Sequence, residues 1–233
     1  MKTRRFDPAE IPPSPTIDFE LALWQSGLLL VAGLDEAGRG AWAGPVSAGA
    51  VILPADPRVL ARLDGVRDSK EMPPHARVEF AARVRNEAAA WGVGFASHAE
   101  IDTLGILPAT RLAMTRALQA CGMAATALLI DALRLPGVDL PQTALIKGDA
   151  RSLSIAAASI LAKTERDARM LELDALYPGY GFARHKGYGT AAHRAALDER
   201  GPCPVHRFSF APLRREKNAR GDPHQHAADP AAL

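Results

Sequence analysis

The amino-acid sequence predicts an α/β fold, in which a β-sheet is covered by helices. Short apolar runs alternate along the chain with longer segments whose apolar residues follow a helical spacing. Alternation of this kind is typical of a sheet flanked by helical layers. The chain has 233 residues, of which 48% are hydrophobic and 23% charged, and these values favour one globular domain with a sizeable core.

Five apolar runs are predicted as strands because each is too short for a globular helix. The first run ends in an acidic pair, Asp35-Glu36, and the second is followed by Pro54. The predicted strands cover residues 28–35, 46–53, 92–96, 127–130 and 143–146.

Helices are predicted around these strands. Residues 97–100, with the sequence SHAE, match a capping box and mark the start of a helix. In the longest predicted helical segment, residues 152–174, the side chains of the first half are apolar and small on all sides, which predicts burial. The second half is amphipathic. The other predicted helical segments cover residues 17–26, 74–90, a stretch after Pro108 that ends near Gly122, and 152–174.

The predicted sheet and its helices lie in a single domain, residues 28–213. Residues 1–27 are predicted to be an N-terminal extension, irregular over the first 16 residues, which contain four prolines. Residues 214–233 lack aromatics and periodic apolar positions, and they are predicted to be a disordered tail. The sequence shows no internal repeat and no second core.

Composition excludes several classes of protein. The formal net charge of +2 is too small to identify a nucleic-acid binder, so any phosphate-binding surface must be a local cluster of cations. Cys121 and Cys203 are predicted to be reduced and structural, since two isolated cysteines make neither a disulfide framework nor a zinc site. No segment is predicted to be a signal peptide or a membrane span, and we expect a cytoplasmic protein.

Acidic side chains stand at the end of three predicted strands. Asp35 and Glu36 end the first, Asp131 ends the fourth, and Asp149 lies in a turn after the fifth. Acids beside core strands need compensation, and Mg²⁺ or Mn²⁺ prefers carboxylate oxygens and water. The four acids are therefore candidates for holding two divalent ions that hydrolyse a phosphodiester. The alternative is that each acid is a helix cap or a surface turn residue.

A glycine-rich segment follows the first acidic pair. Gly38, Arg39 and Gly40 combine backbone that a ligand can approach closely with a planar set of donors for phosphate or sugar oxygens. Residues 68–70 (DSK) and 185–189 (HKGYG) add cations, hydroxyls and an aromatic ring. Each of these motifs alone is a weak signal.

Taken together, the motifs resemble the ribonuclease HII family in its bacterial form. The resemblance covers about residues 28–213, and the blocks stand in the order and spacing of that family. They are GLDEAGRGAWAGPVSAGAVIL (33–53), DSK (68–70), LLID (128–131), KGDARSLSIAAASILAKTERD (147–167), YPGYGFARHKGYGT (177–190) and HRFSFAPL (206–213).

The resemblance implies a ribonuclease H-like mixed sheet flanked by helices, with a helical C-terminal part closing over the substrate. It implies that Asp35, Glu36, Asp131 and Asp149 are the catalytic acids and ligands of Mn²⁺ or Mg²⁺. The implied substrate contacts are Gly38, Arg39 and Gly40 at the ribonucleotide 2′-hydroxyl, Tyr188 at the neighbouring sugar, and Ser69, Lys70, Lys163 and Lys186 near phosphates.

The implied activity is endonucleolytic hydrolysis of the RNA strand of RNA/DNA hybrids, together with cleavage 5′ of single ribonucleotides embedded in duplex DNA. The expected partners are those two nucleic acids, with no membrane, and the expected state is a monomer. The 2′-hydroxyl distinguishes RNA from DNA, and a glycine turn beside the metals could approach it closely.

Features of the sequence argue against three other functions. Ribonuclease HIII carries a sizeable N-terminal domain, whereas only about 27 residues precede the first predicted strand here. A catalytically dead nucleic-acid-binding module would have lost metal-site acids, whereas all four are present. A phosphotransferase would need a phosphate-binding loop of the form GxxxxGK[ST], which the sequence does not contain.

Several residues are predicted to be structural. His185 and His206 are expected to be hydrogen-bonded structural histidines, and Asp68 a turn cap. Trp42 is equally compatible with a core contact and with the substrate edge. Arg166 and Asp167 are predicted to pair on a helix surface.

Overall fold

The computed structural model describes residues 11–67, 69 and 72–214. These residues contain a five-stranded sheet and eight α-helices. The strands are β1 (Val31–Ala37), β2 (Val46–Ile52), β3 (Ala90–Ala96), β4 (Ala127–Asp131) and β5 (Gln142–Leu145). The helices are α1 (Asp18–Gln25), α2 (Val59–Arg62), α3 (Pro74–Glu87), α4 (His98–Leu104), α5 (Ile106–Ala120), α6 (Leu153–Leu176), α7 (Phe182–His185) and α8 (Ala191–Arg200).

The predicted α/β class is confirmed, and every predicted strand is present with ends shifted by a few residues. The capping box before α4 is also confirmed, with the Ser97 hydroxyl accepting from the Glu100 N–H and the Glu100 carboxylate accepting from the Ser97 N–H. The helix expected after Pro108 begins earlier, at Ile106. Helices α2, α7 and α8 were not predicted individually. The first two have four residues each, which carry too little periodicity.

The sheet is mixed, with the strand order β3-β2-β1-β4-β5. β1, β2 and β3 form an antiparallel meander, whereas β4 runs parallel to β1 and β5 runs parallel to β4. Leu34 of β1 pairs with Ile130 of β4, so that Asp35 and Asp131 both follow directly at the same end of the sheet. The site is therefore built where parallel strands end side by side.

Helices cover both faces of the sheet. One apolar cluster, which includes Leu34, Ile130 and Met114, lies between the strands and α5. The other lies between the strands and α6, and residues from α1 and α3 join it, including Trp24 and Val84. Because Asp35 and Asp131 alternate with Leu34 and Ile130, they share the α6 face of the sheet.

Helix α6 lies unusually close to the sheet. A Cβ atom on Gly33 would overlap the backbone of Ser154, and one on Gly49 would overlap the carbonyl group of Ala158. Glycine at these two strand positions therefore permits the close approach. It brings Ser159, one residue beyond Ala158, within hydrogen-bonding reach of Asp35.

A third apolar cluster joins the second half of α6 to the C-terminal helices. Met170 and Leu173 of α6 pack there with Phe182 of α7, Cys203 and Val205. The resemblance implied a helical C-terminal part, and α7 and α8 are its helices. Within the described ranges, no helix has both the length and the apolar character needed to cross a membrane. The predicted tail from residue 215 onward and residues 1–10 lie outside the described residues.

Candidate active site

The four predicted acids are gathered at one end of the sheet. Asp35 and Glu36 lie in β1, Asp131 ends β4, and Asp149 lies in a short 3₁₀ turn after β5. Asp35 and Asp149 are buried, at 2% and 4% exposure. Backbone groups orient two of the carboxylates: the Gly148 N–H donates to Asp131 at 2.7 Å, and the Glu36 N–H donates to Asp35 at 2.7 Å.

Electrostatics show that the four carboxylates lie close together. The pKa of Asp35 is raised well above its usual value, first by burial and then by the charges of Glu36, Asp131 and Asp149. A side-chain hydrogen bond from Ser159 opposes this rise only in part. Like charges that share a buried site repel one another, so the cluster favours a compensating cation.

The chemistry of these residues fits a divalent metal. The buried oxygens Asp35 Oδ2 and Glu36 Oε2 have no hydrogen-bond partner among the described residues. Nowhere in the described ranges do three His, Cys, Asp or Glu side chains already stand in a metal-ligand arrangement. Glu36 is instead drawn to Arg39, whose Nη1 lies 3.0 Å from its Oε1. Asp35 and Glu36 are therefore residues that would offer free carboxylate oxygens to a divalent ion at this end of the sheet.

The glycine turn has one closed side and one open side. Gly38 is buried with a φ of +92°, and a Cβ there would overlap the guanidinium group of Arg166. Gly40 is exposed, and a Cβ there would meet no atom within 4 Å. Gly38 is thus required by the fold, whereas the space above Gly40 is open to a ligand beside the acids.

Two buried arginines hydrogen-bond backbone carbonyl oxygens in and near this turn. Arg166 of α6 donates to the carbonyl oxygens of Pro45, Lys186 and Ala43 at 2.9, 2.9 and 3.3 Å. Arg207 donates to the carbonyl oxygens of Gly44, Arg39 and Pro45 at 2.9, 2.9 and 3.0 Å. Both side chains are fully buried.

The predicted surface pair between Arg166 and Asp167 is wrong. Arg166 is turned into the protein because the backbone carbonyls of the glycine segment face α6. Asp167 instead accepts hydrogen bonds from Lys163 at 2.6 Å and from Arg77 at 2.9 Å.

The predicted substrate contacts on the C-terminal side lie beside α6. The Tyr188 ring is half-buried, with Lys163 Nζ 5.6 Å and Arg166 Cζ 5.4 Å from its centroid. Lys186 follows α7 in a left-handed conformation, and its ammonium group donates to the Ala183 carbonyl oxygen. The structure therefore brings Tyr188, Lys163 and the glycine turn together around the Arg166 side chain.

The DSK motif is only partly described. Ser69 is 2% exposed, and its hydroxyl lies 2.9 Å from that of Ser159, whose side chain acts to lower the pKa of Asp35. Its side chain therefore connects to the acid cluster through Ser159 and is not presented at the surface. Lys70 and Asp68 lie outside the described residues.

The histidines predicted to be structural form an ordered hydrogen-bonded group. The Cys203 N–H donates to His206 Nδ1 at 3.0 Å, so His206 Nε2 carries its proton toward His193 Nε2 at 3.1 Å. His193 Nδ1 then donates to the Tyr188 carbonyl oxygen at 3.0 Å. Burial lowers the pKa of His206 to about 4, so the ring is neutral at physiological pH. His185 accepts from the Gly187 N–H, which confirms a structural role for these rings.

Sequence reasoning missed the buried roles of Arg166, Arg207 and His193. A signal for Arg166 was available, because it continues a helical stripe through Ser159, Ala162 and Met170 that is buried throughout. No comparable periodicity marks Arg207, which lies in an irregular segment after α8.

Comparison with known proteins identifies the chain's relatives. The family model for ribonuclease HII matches residues 32–213. A ribonuclease HII from Chloroflexus aurantiacus is 54% identical over 200 residues, which cover 85% of this chain and 94% of the relative.

Two solved structures share the fold. The ribonuclease H2 of Pyrococcus horikoshii superposes with a TM-score of 0.66 at 24% identity, covering 81% of this chain and 97% of that one. Bst ribonuclease HIII, solved in complex with Mn²⁺, superposes with a TM-score of 0.59 at 22% identity, covering 92% of this chain and 76% of that one. These likenesses confirm a ribonuclease H-like sheet flanked by helices.

The match over most of the described sequence and the high identity to curated relatives decide the assignment. The chain belongs to the ribonuclease HII family, whose members are endonucleases of the ribonuclease H class that act on the RNA strand of RNA/DNA hybrids.

Proposed function

We propose that this enzyme, besides hydrolysing the RNA strand of hybrids, cuts on the 5′ side of single ribonucleotides embedded in duplex DNA. The products would be a 3′-hydroxyl and a 5′-phosphate. The observation that carries the proposal is the position of the open Gly40 side of the glycine turn next to an acid cluster with two unpartnered buried oxygens.

Asp35, Glu36, Asp131 and Asp149 are proposed as the ligands of two divalent ions, Mg²⁺ or Mn²⁺. The proposal is supported by the raised pKa of Asp35 and by the orphaned oxygens of Asp35 and Glu36. The Mn²⁺ complex of the distantly related ribonuclease HIII is consistent with it. When bound, the ions supply an activated water and stabilise the developing charge on the leaving oxygen.

The remaining groups bind and orient the substrate. Gly38, Arg39 and Gly40 are proposed to face the 2′-hydroxyl of the ribonucleotide, which is the group that distinguishes RNA from DNA. Tyr188 is proposed to lie against the next sugar. Lys163 and Lys186, together with Lys70 of the DSK motif, are proposed to lie near phosphates, which the duplex presents at regular intervals. Ser69 is left out of this set because its side chain is buried against Ser159. We propose that the enzyme acts as a monomer in the cytoplasm.

The test compares three duplexes: one with a single ribonucleotide in DNA, one RNA/DNA hybrid, and one of DNA alone. The wild type should cut the first two in Mg²⁺ or Mn²⁺, be inactive in EDTA, and leave the DNA duplex intact. Asp35→Asn should lose nearly all cleavage of both substrates while remaining folded, because it removes a carboxylate from the metal site.

Three results would contradict the proposal. Cleavage of the hybrid without cleavage at the single ribonucleotide would show that the enzyme does not cut at single embedded ribonucleotides. Wild-type turnover by Asp35→Asn at saturating Mg²⁺ would show that the acid cluster does not take part in catalysis. A duplex bound by the wild type but never cut would support the catalytically dead module.

A further inference from the structure

Arg166 and Arg207 carry two buried charges that no described carboxylate pairs with. Each side chain is fully buried, and burial lowers the pKa of both guanidinium groups. Both remain protonated at neutral pH because the ordinary pKa of arginine is far higher. Burying a charge without an ion-pair partner is costly unless its donors are satisfied, and here backbone carbonyl oxygens satisfy them.

The arginine donors fix the relative position of the carbonyl groups they bind. A guanidinium group is planar, and its N–H donors point in set directions. Both arginines donate to the Pro45 carbonyl oxygen. These two hydrogen bonds fix the end of the segment that runs from Gly38 to Pro45. Arg207 also donates to the carbonyl oxygens of Arg39 and Gly44, so it fixes the backbone of the turn itself.

Arg166 differs from Arg207 because it also contacts the opposite wall of the site. It donates to the Lys186 carbonyl oxygen, two residues before Tyr188, and its Cζ lies 5.4 Å from the centroid of the Tyr188 ring. Its other side lies against Gly38. The Arg207 guanidinium group instead lies over the Phe210 ring, with Cζ 5.2 Å from the ring centroid. Of the two guanidinium groups, that of Arg166 hydrogen-bonds the wall that carries Tyr188, whereas that of Arg207 hydrogen-bonds the glycine-rich side.

We propose that Arg166 is a positioning residue that sets the spacing between the glycine turn and Tyr188, and thereby the preference for a ribonucleotide followed by a deoxyribonucleotide. This inference rests on the proposed function, in which the turn contacts one sugar and the ring contacts the next. Two adjacent sugars can be read together only if the two contact points are held one nucleotide apart. Arg207 also interacts electrostatically with Tyr188, but its guanidinium hydrogen bonds go to Gly44, Arg39 and Pro45, so it should not set that spacing.

The test compares Arg166→Lys with Arg207→Lys on the single-ribonucleotide duplex and the RNA/DNA hybrid. Lysine keeps the charge but lacks the planar set of donors. In Arg166→Lys the ratio of kcat/KM for the single ribonucleotide to kcat/KM for the hybrid should fall about tenfold, because misplacement of a positioning contact costs one to two orders of magnitude. In Arg207→Lys both values should fall by the same factor.

Two further variants separate positioning from simple loss of stability. Met114→Ala, in the core on the α5 side of the sheet, should lower the melting temperature without moving the ratio. Arg166→Lys combined with Tyr188→Ala should show the same ratio as Tyr188→Ala alone, because the lysine change acts through the ring. If Arg166→Lys does not fold, Arg166→Gln, which still donates through its amide, is expected to lower the ratio in the same way.

Wild-type cleavage at the single ribonucleotide with an unchanged ratio in the Arg166 variant would overturn this inference alone. An equal shift of the ratio in Arg207→Lys or in Met114→Ala would also overturn it. Absence of wild-type cleavage at the single ribonucleotide would overturn the proposed function and this inference with it.

Discussion

Lys163 donates a hydrogen bond to Asp167 one turn along α6, with Nζ 2.6 Å from Oδ1 and both side chains largely buried. Arg77 of α3 binds the other oxygen of the same carboxylate at 2.9 Å. Asp167 therefore fixes the ammonium group of Lys163 beside the Tyr188 ring, where a substrate phosphate is proposed to bind. Its effect should be visible in the titration of Lys163.

Asp167→Asn should make duplex binding sensitive to alkaline pH. Burial already lowers the pKa of Lys163, and Asp167 is the main group that opposes this shift. Without the carboxylate the pKa of Lys163 falls further, so the lysine loses its charge at a lower pH. Affinity for a duplex, measured by anisotropy without divalent metal, should therefore begin to fall at a lower pH than in the wild type.

The control for this prediction is Lys163→Ala in the Asp167→Asn background. The pH dependence of binding should be the same for Lys163→Ala with and without Asp167→Asn, since the titrating group is gone. Superimposable pH curves for the wild type and Asp167→Asn would show that Lys163 does not contribute its charge to binding.

Asp131→Asn should stabilise the metal-free protein while abolishing metal-dependent cleavage. Asp35 has a raised pKa in the folded state, so the folded protein loses stability as pH rises through that pKa. Removing the Asp131 charge relieves part of this repulsion, and the amide oxygen of asparagine can still accept from the Gly148 N–H. In EDTA at pH 7 the free energy of unfolding should rise by about 1 kcal/mol.

Urea unfolding at several pH values checks the sign of this effect. The gain should shrink as pH falls through the raised pKa of Asp35, because a protonated Asp35 no longer repels the Asp131 carboxylate. Mg²⁺ that binds the folded site shifts the folding equilibrium toward the folded state. It should therefore stabilise the wild type more than the variant, which lacks one of the proposed carboxylate ligands. Equal stability of the two proteins in EDTA at pH 7 would contradict the repulsion.

The positions of the acids could be read from the sequence, because an apolar strand followed by an acid is a local pattern. Parallel pairing of β1 with β4 then places Asp35 and Asp131 together, and this pairing joins segments far apart in the chain. The supports of the site could not be read in the same way. Arg207 hydrogen-bonds carbonyl oxygens more than 160 residues away, and no local pattern encodes such a contact.

The helical C-terminal part illustrates the same limit. Helix α8 has a readable start, because the Thr190 hydroxyl accepts from the His193 N–H as an N-cap. The role of His193 itself depends on His206 and on the Tyr188 carbonyl oxygen, which reach it only after the chain has folded. Residue identity thus predicted where the acids lie better than it predicted the groups that orient the site.

Alanine at Gly38 and at Gly40 should have opposite consequences. Gly38→Ala combines a φ of +92° with overlap of the Arg166 guanidinium group, so it should destabilise the fold by more than about 2 kcal/mol. Gly40→Ala meets open space, and its effect on stability should stay within about 0.5 kcal/mol. Cleavage by Gly40→Ala should nevertheless fall, because the added methyl group occupies the proposed path of the ribose.

Urea unfolding and kcat/KM measured on both variants test this pair. Wild-type cleavage by Gly40→Ala would show that the ribose does not approach the open side of the turn. Wild-type stability of Gly38→Ala would show that Arg166 can leave its position without loss.

Lys186→Ala should reduce the salt dependence of duplex binding. Each cation that contacts a phosphate releases counterions, so removing one contact should lower the slope of log K against log salt by about 1. Arg83→Ala is the matched control, since Arg83 is exposed on α3 and is not placed at the site. A slope for Lys186→Ala equal to that of Arg83→Ala would remove Lys186 from the phosphate contacts.

Tyr188→Ala should lose most cleavage at a single embedded ribonucleotide, whereas Tyr188→Phe should lose little. The ring lies over cations from α6, and no described residue hydrogen-bonds its hydroxyl, so phenylalanine retains the surface that contacts the sugar. A ribose in place of the adjacent deoxyribose would bring a 2′-hydroxyl against the ring and leave it without a hydrogen-bond partner.

The measurement is kcat/KM for the wild type and both variants on the single-ribonucleotide duplex and on the hybrid. Because the ring favours a deoxyribose, the ratio of the two values should fall in Tyr188→Ala and remain near wild type in Tyr188→Phe. An alanine variant with the wild-type ratio would show that the junction preference arises from the Gly38-Arg39-Gly40 turn alone. Since the His193 hydrogen bond holds the Tyr188 carbonyl oxygen, the backbone should stay in place in both variants, and the comparison isolates the ring.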